Sequence, residues 1–158
     1  MRRKFWITAG LLAAASWGCS DSATGTAGAG NRVGPHRGVL IALPGDKGYA
    51  EIVNSDPTRG KEVGKARPPV EVLVYLLNPG LDAALTASVT DVRVTLTTVS
   101  EKPESIALEP SSELKDPLGK VRFASRPGPF YLANSTGELT ATVDGAPFKA
   151  AFDGGMQR

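Results

Sequence analysis

Cysteine, histidine and tryptophan are nearly absent from this 158-residue chain, which has one Cys, one His and two Trp. A single cysteine, Cys19, cannot close an internal disulfide, so the fold must stand on its apolar core. A cysteine zinc site is excluded from the folded part, and a His-rich copper or zinc site lacks ligands. A Ser-His-Asp arrangement would have to use His36, and no Gly-x-Ser-x-Gly elbow accompanies it. No Walker or dinucleotide fingerprint occurs, and the acidic residues are too dispersed for an EF-hand loop. Both tryptophans, Trp6 and Trp17, fall in the first 18 residues, which leaves Phe, Tyr and aliphatics to fill the core. These absences argue against an enzyme and against any bound cofactor.

What is present begins with a leader. Met1-Arg2-Arg3-Lys4 is a basic start, and Phe5–Ala15 is an apolar run shorter than the about 20 residues of a membrane-spanning helix. Ser16-Trp17-Gly18-Cys19 follows. This plan resembles bacterial lipoprotein signal peptides, whose cleavage box ends in a small residue and then Cys. The resemblance implies cleavage before Cys19 and lipid on its sulfur and amino group. Ser20, where such proteins can carry a retaining Asp, implies the periplasmic face of the outer membrane. The alternative is an ordinary secreted protein with one leftover thiol.

Removing Arg2, Arg3 and Lys4 from the 18 basic residues leaves 15 against 16 acidic ones. The mature chain is therefore near neutral and carries no electrostatic footprint for nucleic acid. Ser20–Gly34 is rich in Gly, Ala, Ser and Thr and cannot bury enough apolar surface to order itself. Residues 19–34 thus read as a flexible, lipid-anchored linker, 35–153 as one folded domain and 154–158 as a tail. Gly28 and Gly30 belong to the linker, since no strand precedes them.

The folded part is organised around Val70–Leu77, Val-Glu-Val-Leu-Val-Tyr-Leu-Leu, with Pro68-Pro69 before it and Asn78-Pro79-Gly80 after it. A short, β-branched, almost continuous apolar run between breakers reads as a central strand buried on both faces. Further strands are expected at Gly38–Leu43, Gly48–Asn54, Val89–Val99, Ser105–Leu108, Lys120–Ser125, Glu138–Val143 and Phe148–Phe152. From Val92 the apolar residues alternate with Arg93, Thr95 and Thr97, as in a half-buried antiparallel strand. Asp144-Gly145 predicts a two-residue hairpin turn. Polar stretches at Ser55–Pro69 and Pro110–Gly119 read as loops, and Phe130-Tyr131-Leu132 as a plug at one end of the core. Seven or eight short strands without an amphipathic helix predict an all-β domain, an immunoglobulin-like β-sandwich first and a small barrel second. About 120 residues suffice for one core.

His36 stands where linker becomes strand. It either fixes that junction or serves as a lone metal ligand together with loop carboxylates. Glu71, the odd charge in the central run, is expected at the sheet's rim beside a Lys or Arg, or else as a buried functional acid. The basic run Arg59, Lys61, Lys65, Arg67, interrupted by Glu62, is a solvated loop or a docking patch. Asn134-Ser135-Thr136 is a turn or a glycosylation acceptor.

Four patterns together carry a wider resemblance: Pro35-His36-x-Gly38, Tyr49-Ala50-Glu51-Ile52-Val53, Val72-x-Val74-Tyr75-Leu76-Leu77 and Val143-Asp144-Gly145-x-Pro147-Phe148. They look like a group of small bacterial envelope lipoproteins whose domains often begin Pro-His-Gly-Gly. Arg37 replaces that group's second-last Gly, and its further histidines are missing here. Some similar domains accompany metal-efflux adaptors. The leader, the tether and the missing catalytic sets point to a non-enzymatic envelope module, tethered to the membrane through Cys19, with another envelope component as partner. A metal-handling accessory is the alternative, and an envelope hydrolase built around His36 the remotest reading.

Overall fold

The structure is a computed structural model that describes residues 23–24, 34–55, 69–98, 103–111, 122–133 and 135–155. The leader, Cys19, the basic run from Arg59 to Arg67 and Asn134 lie outside the described residues.

The described residues form ten strands: β1 (Ala23–Thr24), β2 (Val39–Ala42), β3 (Tyr49–Asn54), β4 (Val72–Leu77), β5 (Val89–Thr98), β6 (Glu104–Ala107), β7 (Glu109–Ser111), β8 (Arg122–Ala124), β9 (Ser135–Val143) and β10 (Ala146–Asp153). They make two five-stranded sheets. Sheet A runs β1-β10-β9-β5-β6 and sheet B runs β2-β3-β4-β8-β7. All pairings are antiparallel except that of β1 with β10. The protein is a β-sandwich, not a barrel. Its first three long strands share one sheet, whereas the immunoglobulin order carries the third strand across to the other.

Strand β4 is the middle strand of sheet B, and all six of its residues are buried. Val72, Val74 and Leu76 face the other sheet, against Val94, Leu139, Phe148 and their neighbours. Leu73, Tyr75 and Leu77 belong to a second apolar cluster with Val53 on the outer face of sheet B. Strand β5 reaches the core by a slip of phase. Its apolar residues fall on Val89 and then on Val92, Val94 and Leu96, so one residue must be extra. The ladder with β9 shifts between Thr90 and Arg93, and Asp91 takes a left-handed φ of 54° there. This bulge keeps the Asp91 carboxylate out of the core while Val92 enters it. The Asp144-Gly145 turn has the two positive φ angles, 48° and 79°, that its dipeptide demands.

Three segments depart from expectation. Ala23–Thr24, inside the stretch read as a linker, lies parallel to Phe148-Lys149 at the edge of sheet A. Glu109–Ser111, two of whose residues fall in the expected loop Pro110–Gly119, pairs with Arg122–Ala124. Pro110 is tolerated because β7 is an edge strand that needs amide donors on one side only. Ser135 and Thr136, read as a turn, open β9. The misleading residue is Gly137, which serves here for close packing: a Cβ there would sit 2.4 Å from the Phe152 ring.

Candidate functional site

The chain's one histidine and the most deeply buried acid among the described residues meet on the outer face of sheet B. Strand alternation puts Ala50 and Ile52 in the core and Tyr49, Glu51 and Val53 on the other side of β3. That side is covered at Glu51 by the turn Gly34–Arg37, closed by a 2.9 Å bond from the Arg37 amide to the Gly34 carbonyl. Glu51 is fully buried, at 0% exposure. Its Oε1 accepts the amides of His36 (2.9 Å) and Gly38 (2.8 Å). Its Oε2 lies 2.8 Å from His36 Nδ1. A carboxylate that is ionised only accepts, so with Glu51 in that form Nδ1 is the donor of this contact. The imidazole stacks on Tyr75 of β4, with ring centres 3.8 Å apart and planes 8° from parallel.

Three of the four sequence patterns thus converge: His36 and Gly38 from the first, Glu51 from the second, Tyr75 from the third. Close approach explains Gly38, where a Cβ would fall 2.2 Å from Val53 Cγ1 and 2.4 Å from the Ile52 carbonyl. Arg37 has a left-handed φ of 61°, a conformation glycine adopts without strain. The Gly of a Pro-His-Gly-Gly start would be the relaxed residue at that position.

A buried carboxylate without donors would be strongly destabilising, and three donors answer it here. Among the described residues, no group of three or more His, Cys, Asp or Glu side chains comes together to hold a metal. Glu51 holds the imidazole and two amides, and so orients His36 instead of sharing a ligand with it. Glu71 is where it was expected, half-buried at the rim of sheet B beside Ser55, and no described basic residue pairs with it. The buried acid is Glu51, one strand earlier. Its signal was local: Tyr49 and Val53, on the same face, are apolar, so that face could not be a solvent face.

A second polar cluster ties the two sheets together at one end. Lys47, after the turn that ends β2, reaches Asp144 Oδ2 at 2.5 Å. The Ser88 amide donates to Asp144 Oδ1 at 2.8 Å. The Lys47 ammonium, and then the Ser88 amide, hold the Asp144 carboxyl below its ordinary range. At the other end, the Asn54 side chain donates to the Phe130 carbonyl (2.7 Å) and accepts the Leu132 amide (3.0 Å). This fixes the Phe130–Leu132 segment, whose Leu132 is wholly buried in the core.

Fold and site define a small antiparallel β-sandwich with a His–Glu–Tyr lock on one outer face. Compared with protein-family models, curated proteins and solved structures, the chain finds no significant match in any of the three.

Proposed function

We propose that this protein is a lipid-anchored envelope module without catalytic activity, held to a bacterial membrane through acylated Cys19 and serving another envelope component as a binding or accessory domain. The observation that supports this best is where the reactive side chains go. His36, Glu51 and Tyr75 are used on one another and on the backbone amides of His36 and Gly38, in the turn before β2. They lock the turn that leads into β2, some fifteen residues after the proposed anchor, which suits a tethered body. The leader ending in Gly18-Cys19 supplies the anchor, and Ser20 favours the periplasmic face of the outer membrane. Mass spectrometry of the mature N-terminus tests the anchor: acyl chains on Cys19 are expected, and an unmodified Cys19 overturns it. Cross-linking in intact cells followed by purification tests the partner, and repeated recovery of the protein alone overturns that part.

A metal-handling role is the second reading. What favours it is the Nδ1-to-carboxylate contact, the arrangement by which ligating imidazoles are commonly oriented. Titration with copper and zinc, compared with a His36→Ala variant, decides it. Equal binding by both proteins ends this reading.

A further inference from the structure

The outer face of sheet A holds a concavity of about 360 Å³ where β5, β9 and β10 lie side by side. Asp91, Arg93, Thr140, Thr142, Pro147 and Lys149 line it. The hollow sits at the β5 bulge, and the bulge aims Asp91. The Thr90 and Thr142 hydroxyls both donate to Asp91 Oδ2, at 3.1 and 3.3 Å, and no described residue donates to Oδ1. Arg93 is exposed and has no ion-pair partner among the described residues. The hollow's other cation, Lys149, is paired with Glu138 at 2.7 Å. An open acceptor and an open guanidinium therefore share one hollow with two threonine hydroxyls, and Pro147 adds apolar surface.

We propose that this groove binds an acidic saccharide. Hydroxyl groups both give and accept hydrogen bonds, which suits a lining that mixes a carboxylate with threonine hydroxyls. A guanidinium recognises a carboxylate on the ligand in a fixed two-pronged geometry. Pro147 and the threonine methyls suit the C–H face of a sugar ring. A groove crossing three strands admits an extended chain. The assignment names a ligand class for the binding module proposed above, and it rests on that reading.

The bulge makes a clean test possible. Glycine tolerates the left-handed backbone at position 91 better than aspartate does, so Asp91→Gly removes the carboxylate without removing the conformation. The full-length protein in detergent is titrated with the disaccharide of N-acetylglucosamine and N-acetylmuramic acid, and with neutral chitobiose. Saturable binding of the acidic sugar is expected, at least tenfold tighter than that of chitobiose. Asp91→Gly and Arg93→Ala should each weaken it about tenfold, with the melting temperature of Asp91→Gly unchanged or raised. No saturable binding, equal binding of both sugars, or binding indifferent to both variants overturns the assignment. If the titration is flat while cells still yield a cross-linked partner, the groove assignment falls and the module reading stands.

Discussion

The outer faces of the two sheets follow the same alternation and end in opposite environments. On sheet A the outward residues of β5 and β9, including Arg93, Thr95, Thr140 and Thr142, are exposed or half-exposed. On sheet B the outward residues of β3 and β4 include Glu51, Val53, Leu73, Tyr75 and Leu77, all buried. Period two therefore states which residues share a face; the other residues on that face state whether water reaches it. A charge on sheet A's outer face is solvated. The same charge on sheet B's outer face has to be answered by the protein, and the turn at Gly34–Arg37 answers Glu51.

The contrast is broken most severely at Glu51. Glu51→Ala removes the acceptor shared by the buried Gly38 amide, the part-buried His36 amide and the imidazole, and should cost about 4 kcal/mol, read by urea denaturation. Lys149→Ala, on the solvated face, should change stability by less than about 0.5 kcal/mol. If the two variants unfold alike, the two faces do not differ as described. Next come paired truncations on β4. Leu76→Ala cuts into the core between the sheets and Leu73→Ala into the outer cluster, and each should cost about 3 kcal/mol. A loss under about 1 kcal/mol for Leu73→Ala would show that the outer face of sheet B is wetter than its partner face. Arg37→Gly relaxes a left-handed residue and should stabilise by about 0.5 kcal/mol, the strain relieved exceeding the entropy lost.

The smallest effect is one of pH and lies off both faces. Asp144 has its folded pKa depressed by Lys47 and the Ser88 amide. Its contribution is therefore fully present above the ordinary carboxylate value of 3.8 and is lost as the pH falls through the lower, folded value. Asp144→Asn should flatten the acid limb of a stability-against-pH curve and leave the neutral region nearly unchanged. An acid limb of unchanged slope contradicts the depressed pKa.

Much of the architecture was legible because it rests on local rules. An apolar run between breakers marked β4 as central, and alternation from Val92 marked the inner half of β5, though the bulge before it was not read. Asp144-Gly145 marked its own turn. Two strand segments were hidden by residues that usually break strands. Pro110 is harmless at an edge, and Gly137 is small so that Phe152 can pack over it. The lock was half legible. His36 stood out as the only histidine, at the junction where it acts. Glu51 did not, because its meaning depends on the turn folding back across β3, and no spacing along the chain encodes that contact. Glu71 drew notice as a charge inside an apolar run, yet it lies just outside β4, where the ladder has ended.

The pairing of β4 with β8 bears on how the chain comes to be folded at all. Leu73 to Tyr75 find their partners at Arg122 to Ala124, about fifty residues later. Until β8 is made and placed, β4 offers a charge-free, β-branched segment with one unsatisfied edge, the kind that joins readily to a copy of itself. The longer that interval lasts the greater the exposure, so the refolding yield should fall steeply as concentration rises.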